Sequence, residues 1–411
     1  MRGQSRGAAP ALTAPRRVED APPDSADHAG STLELLLDCA SAHRRAESRA
    51  RLRRRLEHPI DWQPVLDSAR RHGVAPLAYQ ELRAAPDGLV PPESLATLQR
   101  FHFENTRRCL LLTGWLRRVV DRLDRAGVQA VPYKGPVLAA LAYGTLGARQ
   151  AGDLDLLIDP ADLATARQAL EADGFRPQVP LLDWQERQLV RSAHPYGLIH
   201  DAAGVVVELH WSVSPRSLSS GLGAALPRER LEEVAVAGTC FLTLPIDLLL
   251  VALCVHGAKH VWERLGWVVD VAELIAGRPG LDWSGVLACA EELGHRRELL
   301  LGSMLARDLL KTSLAEPLTR AIAGDSKLPG LARVVSTQLG LVAHRRPGIA
   351  RTARFHLEVR ATWGDRLAYV RYALMPTVAD WTSVPLPWWL APLHYPLRAA
   401  RLLRGGTGHH H

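Results

Sequence analysis

Asp153 and Asp155, one residue apart in GDLDLLID, are the side chains of this protein best spaced to do chemistry. On a strand, successive side chains point to opposite faces, so these carboxylates share one face while Leu154, Leu156 and Ile158 share the other. Lying about 6–7 Å apart along the strand, they repel unless a cation sits between them. A hard divalent cation, which prefers carboxylate oxygen, is the natural guest. Upstream, Lys134-Gly135-Pro136 closes a short apolar run and opens a helix-like one. A glycine turn at a helix start is a natural seat for phosphate. The pairing points to metal-assisted phosphoryl or nucleotidyl transfer.

A third carboxylate, Glu208, stands in the β-rich run VVVELHW, on the face opposite Val205, Val207 and Leu209. If that run pairs beside the Asp-x-Asp strand, Glu208 points at the same spot. Three carboxylates could then clamp two divalent ions roughly 3.5–4 Å apart, stabilising the attacking and leaving oxygens of an in-line displacement. His210 shares the face of Glu208, and Trp211 belongs to the core. Lys134, at a strand end before the turn glycine, would neutralise β/γ-phosphate charge. Arg149 either contacts phosphate or offsets the acidic cluster.

His256, Lys259, His260 and Glu263 fall at i, i+3, i+4 and i+7, one face of a helix. His256 and His260 have the spacing of a zinc pair, but Gly257 stands where the metalloprotease pattern needs glutamate. Two readings stay open: a cationic face lining a nucleotide cleft, or a half-buried amphipathic helix. Asp270 would cap or ion-pair with that face, or with a basic residue elsewhere.

The elements that must position these groups follow from hydrophobic period and punctuation. Residues 1–30, rich in Arg, Ala, Pro, Ser and Gly, read as a disordered leader. Residues 31–127 form an N-terminal helical region that stops at Gly127, and 128–215 an α/β module. Within the module, strands are expected at 128–134, 153–158 and 205–211. Helices are expected at 136–143, at 159–173 with Gly174 as stop, and at 184–191; the rest of 177–200 reads as loop. Residues 216–404 form a C-terminal helical region and 405–411 a flexible tail. The fold class is α+β, a small mixed sheet flanked by helical regions. Trp388-Trp389, Tyr395 and Arg398–Arg404 read as a terminal helix folded back on the body, against a competing reading as a membrane-interface patch.

Composition narrows the setting. Five scattered cysteines without a CxxC support neither a disulfide framework nor a zinc ribbon, and a reducing cytoplasm is expected. No apolar run approaches the ~18 residues of a membrane span. A net charge of +7 would attract nucleotide phosphates, nucleic acid or anionic lipid, though scattered arginines on solvated helix faces are the commoner source of such a charge.

Taken together, Lys134-Gly135, Arg149, Asp153-Leu154-Asp155 and Glu208-Leu209-His210-Trp211 resemble the polymerase-β-type nucleotidyltransferase superfamily. They are closest to a bacterial group of nucleotidyltransferase family proteins. The similarity continues through His256-Gly257-Ala258-Lys259-His260, Trp262, Arg264-Leu265 and Trp267 to Asp270, and with its flanks covers about residues 31 to 404. The resemblance implies that Asp153 and Asp155 are metal ligands. Glu208 would complete the site and act as base, or orient the base, for an acceptor hydroxyl. One departure is Pro136, where the superfamily usually places Ser or Gly. Proline donates no N–H, so one phosphate contact is missing and charge from Lys134 takes its place.

The expected activity is Mg²⁺-dependent transfer of a nucleoside monophosphate, or a related activated group, from a nucleoside triphosphate. The acceptor would be a small molecule or peptide in a biosynthetic pathway. Lys134, Gly135, Arg149, His256, Lys259 and His260 are the expected nucleotide-binding residues. Two other classes compete: a scaffold that binds nucleotide without chemistry, and a nucleic-acid modifier. The latter lacks a recognisable RNA module.

Overall fold

A computed structural model describes residues 24–192, 194–212, 227–341 and 348–403 of the chain. The tail from residue 405 and the leader before residue 24 lie outside them. Helix α1 (Asp24–Ala42) begins within the stretch expected to lack structure. It is followed by α2 (Ala46–Leu56), α3 (Trp62–Arg71), α4 (Ala75–Leu82) and the long α5 (Pro92–Arg125). The buried stripe of α5 runs Leu98, Asn105, Cys109, Leu112, Leu116, Val119, Leu123, at helical spacing. Its end closes with Val128 N–H donating to the Leu123 carbonyl, and Gly127 takes φ +77° there, a left-handed residue where glycine has no Cβ penalty.

Five strands form one mixed sheet in the order β1-β2-β5-β4-β3. They are β1 (Val131–Pro132), β2 (Leu154–Leu157), β3 (Arg176–Pro177), β4 (Tyr196–His200) and β5 (Val205–His210). The central pair, β2 and β5, is parallel, and every other pairing is antiparallel. Between β1 and β2 comes α6 (Gly135–Tyr143), and on the way to β5 the chain forms α7 (Leu163–Glu171) and α8 (Asp183–Ser192). The fold is therefore α+β.

Two sequence expectations change. The stretch expected as loop over 177–200 contains β4, whose first four residues alternate in burial against β5 but are too few to stand out between Pro195 and Asp201. Within the region expected to be helical, β6 (Glu232–Val236) and β7 (Thr239–Thr243) form a hairpin. Its two-residue turn puts Ala237 at φ 47° and Gly238 at φ 81°, the twist that matches paired strands. Thr243 Oγ1 donates to the Pro132 carbonyl at 2.7 Å and ties this hairpin to the sheet edge.

Then follow α9 (Ile246–Lys259), α10 (Leu265–Ala276), α11 (Trp283–Glu292), α12 (Arg296–Leu310), α13 (Glu316–Ala323) and α14 (Leu328–Leu339). The chain ends in α15 (Ile349–Glu358), α16 (Trp363–Leu374), α17 (Val378–Ser383), a 3₁₀ turn (Trp388–Leu393) and α18 (His394–Leu403). The buried apolar residues of α1–α4 and α9–α14 form one continuous core, which also takes in Tyr133, Leu138 and Leu157. The opposite sheet face packs on α5 and α7 through Leu154, Leu156, Val207 and Leu209. Among the described residues, no helix is long and apolar enough to cross a membrane.

Candidate active site

The register of the parallel pair brings the carboxylates together. Asp155 lies directly opposite Glu208, and His210, two residues further, shares their face. One oxygen or nitrogen each from Asp155, Glu208 and His210 lies within 4.8 Å of the others. His210 Nε2 is 3.0 Å from Asp155 Oδ1 and 3.3 Å from Glu208 Oε2. Lys134 Nζ donates to the same Asp155 oxygen at 3.0 Å. Asp153, expected as a full partner of Asp155, falls outside this group of three. It stands half-buried just before β2, close enough to feel the charges of Asp155 and Glu208.

Electrostatics separates the two aspartates. Asp153 is pushed up to about 6, by burial first and then by repulsion from Asp155 and Glu208. Burial works the same way on Asp155, but Lys134 and the His210 hydrogen bond overcome it and hold that carboxyl well below the usual range. His210 is raised despite its burial, because Asp155 and Glu208 both accept its hydrogen bond. Lys134 is likewise raised against its burial by Asp155. The result is one firmly ionised aspartate held by Lys134 and His210, and a second aspartate whose proton affinity is raised.

Local geometry explains the placement of Lys134. Gly135 has φ +56°, and a Cβ there would lie 3.1 Å from the Asp153 carbonyl, so only glycine fits this left-handed turn against β2. Pro136 follows in the first turn of α6, where its missing N–H and fixed φ cost the helix nothing. Lys134 passes 5.0 Å from the Tyr133 ring centroid, and Tyr133 meets the His210 ring edge-on at 5.7 Å.

Arg149 is committed to a partner. Its Nε donates to both Asp270 oxygens at 3.0 and 3.1 Å, and Tyr143 Oη donates to the same carboxylate at 2.8 Å. Burial disfavours the Arg149 charge, but Asp270 more than compensates. For Asp270 the balance is reversed: its pKa is raised because burial outweighs Arg149 and Tyr143. The two partners thus pull opposite ways, as expected where the burial of an ion pair costs about what its attraction returns. One helical turn on, Glu273 binds Arg44 at 2.8 Å and His43 at 3.1 Å, linking α10 to the start of the chain.

The expected cationic face is assembled only in part. His256 and Lys259 occupy the last turn of α9, where cations suit the helix dipole, and His260 caps it. Val261 and Trp262, both at φ 51°, then turn the chain away, so Glu263 leaves the helix face expected of it. The cause is Trp262, fully buried between two glycines: a Cβ on Gly257 would come within 2.6 Å of its ring, and one on Gly302 within 3.0 Å. The His256 and His260 rings lie 4.9 Å apart and both pack on Trp267. Burial, then Lys134, pushes His256 well below its ordinary value, so it is neutral. Lys259 keeps access to solvent, yet burial and Lys134 lower it, while Glu208 and Asp155 pull the other way. The charged groups at the end of α9 and the carboxylates therefore lie within each other's electrostatic reach.

Two supporting residues escaped the sequence reading. Asn105 on α5 donates to the carbonyls of Gly147 and Arg149, at 3.1 and 3.0 Å, and Arg108 donates to Gly152 at 2.7 Å. They clamp the loop that carries Arg149 and Asp153. His210 was visible on the face of Glu208, but its bridging of two carboxylates depends on the strand pairing. A cavity of about 650 Å³ lies elsewhere, among Arg296, Arg297, Arg320 and Lys327. Each of these arginines is already paired, with Glu291, Asp325 and Glu316 respectively, and the cavity is not part of this site.

The donor set suits a divalent cation: two carboxylates and an imidazole close enough to share one ion, with a further carboxylate beside them. Searches of curated proteins and of solved structures gave no match. Over residues 58–311 the chain matches the family described as "Uncharacterised nucleotidyltransferase". That match spans more than half of the protein, which therefore belongs to this family of transferases.

Proposed function

We propose that the protein is a Mg²⁺-dependent nucleotidyltransferase that moves a nucleoside monophosphate, or a related activated group, from a nucleoside triphosphate to a small-molecule or peptide acceptor, with a biosynthetic role. The observation that carries this reading is the facing of Asp155 and Glu208 on adjacent parallel strands, with Lys134 at the same oxygen, in a chain of this family.

Asp153, Asp155 and Glu208 would hold the ion, and His210 hydrogen-bonds two of the three. When bound, the ion would neutralise charge developing on the transferred phosphoryl group. The chain's own groups do the rest by position and charge. Lys134, which donates to Asp155, would neutralise phosphate charge beside it. Lys259, lowered in pKa and open to solvent, lies within electrostatic reach of the carboxylates and favours an anion beside it. Gly135 lets the backbone approach closely, and Arg149 keeps its loop in register through Asp270 rather than binding phosphate directly. Glu208 accepts the proton of the acceptor hydroxyl or orients the group that does.

The test is pyrophosphate release from each nucleoside triphosphate with Mg²⁺ and candidate acceptors, read beside mass spectrometry of the acceptors. Asp153→Asn, at a half-buried position, should lower transfer by at least about a hundredfold while nucleotide binding persists. Undiminished transfer in that variant would refute the assignment. Tight nucleotide binding without pyrophosphate release in the unaltered protein would favour the scaffold instead.

A further inference from the structure

Helix α16 is built inside out. Trp363, Leu367, Val370 and Leu374 recur at i, i+4, i+7 and i+11, the apolar stripe that ordinarily faces a core. Here all four face solvent, Trp363 at 81% exposure and Leu367 at 70%. The opposite stripe, Asp365, Tyr369 and Tyr372, turns inward. Asp365 is buried in a capping box with Thr362. Tyr369 lies stacked on His356 at 5.0 Å, and Tyr372 on His194 at 5.4 Å. The 3₁₀ turn, which leads into α18 as α18 packs on α16, adds Trp388 and Trp389, exposed by 72% and 63%.

The sequence reading expected this end to fold back on the body, and part of it does. His394 and Arg398 are buried, Arg398 donates to the Ala373 carbonyl of α16, and Trp381 packs edge-on against Trp184 of α8. The tryptophans at 363, 388 and 389 stay outside. A solvated stripe of this length is costly unless something covers it.

Charge identifies the cover. On the helical wheel Arg366 and Arg371 flank the stripe on either side, Arg371 exposed and Arg366 lying 4.9 Å over the Trp363 ring. Asp365 and Asp380 are the only acidic side chains between residues 361 and 403, and both are buried. Asp380 is held in a capping box and by Arg401 at 2.7 Å. The surface of this segment thus presents Trp, Leu and Arg with no carboxylate. A second copy laid on the same face would set arginine against arginine. An anionic bilayer answers both features: its acyl boundary takes the stripe, indole rings sit at headgroup level, and the flanking arginines reach lipid phosphate.

We propose that the face formed by α16 and the Trp388–Leu393 turn is an interfacial membrane-binding surface selective for anionic phospholipid. It lies flat on the bilayer without spanning it and holds the catalytic module, to which it is fixed through Trp381 and Trp184, at the membrane surface.

The experiment is co-sedimentation of the full chain with phosphatidylcholine vesicles, with and without phosphatidylglycerol. The unaltered protein should sediment with the anionic vesicles and stay largely free of the neutral ones. Leu367→Gln combined with Val370→Gln leaves the charge unchanged and alters only exposed positions. It should weaken the anionic association about tenfold at unchanged circular dichroism. Arg366→Gln with Arg371→Gln should remove the preference for anionic lipid. Lack of association, equal association of the Leu367/Val370 variant, or no distinction between lipids each overturns the proposal. So does a dimer in solution that the same variant dissolves while vesicles are ignored. None of these readouts depends on catalytic activity, so they fail or succeed apart from the proposed chemistry.

Discussion

Asp270→Asn is the most informative single change outside the carboxylate cluster. Asp270 is 3% exposed, accepts from Arg149 Nε and Tyr143 Oη, and lies on α10, far in sequence from the loop it steadies. The amide retains one acceptor oxygen of similar shape, so packing is conserved, but the buried guanidinium of Arg149 loses its counter-charge. Removing one partner of a buried pair typically costs about 3–5 kcal/mol, and the low end applies because the amide oxygen still accepts. For a chain of 411 residues, at about 2.1 cal/mol/K of unfolding entropy per residue, the melting temperature should drop by about 3–4 °C. The raised pKa of Asp270 adds a sharper expectation. Because burial of the carboxylate costs about what its attraction to Arg149 returns, the pair as a whole adds little net stability. Arg149→Met combined with Asp270→Asn should therefore recover most of the loss. Thermal or urea unfolding of the two single variants and the double variant closes the cycle. A drop below about 1 kcal/mol for Asp270→Asn, or a double variant that loses the sum of the two singles, would refute the reasoning.

The other expectations are quickly stated. Asp153→Asn should raise the melting temperature of the metal-free protein at pH 7 while it abolishes transfer, since it removes a charge repelled by Asp155 and Glu208. The sign follows from the shift: the folded pKa of about 6 lies above the ordinary 3.8, so the stability this group lends at low pH is lost as pH rises through 6. Calorimetry of the chelated protein between pH 4 and 7 should show the gap between variant and parent widening upward. Gly257→Ala, which in an exposed helix would gain about 1 kcal/mol, should here lose roughly 1–3 kcal/mol, because the added methyl meets the Trp262 ring at 2.6 Å. Urea unfolding decides between the two. Gly135→Ala forces a Cβ onto φ +56° and toward the Asp153 carbonyl, and should cost about 1–3 kcal/mol with a matching loss of nucleotide affinity by calorimetry.

Much of the site was legible because its signals are local. Alternation in Asp153–Ile158 and Val205–Trp211 assigned the carboxylates to one face of each strand, and Lys134-Gly135-Pro136 marked a turn that opens a helix. The structure has β2, β5 and α6 at those places. The hairpin β6–β7 and the short β4 were missed because five-residue strands carry little periodicity without their partners. Likewise, the helical period through Glu263 could not reveal that Trp262 needs the space left by Gly257 and Gly302, which bends the chain at Val261.

By itself, then, the sequence determined the α+β class, the residue types of the cleft and the order in which they arrive, since each rests on neighbours a few positions apart. Tertiary structure alone decided that Asp155 is held well below the usual carboxylate range while Asp153 is raised above it. It also decided that His210 bridges two carboxylates, that Arg149 belongs to Asp270, and that the stripe of α16 faces outward. Those outcomes depend on strand register, burial and partners about twenty to more than a hundred residues away, where dielectric and proximity set the charge of each group and no local pattern records them.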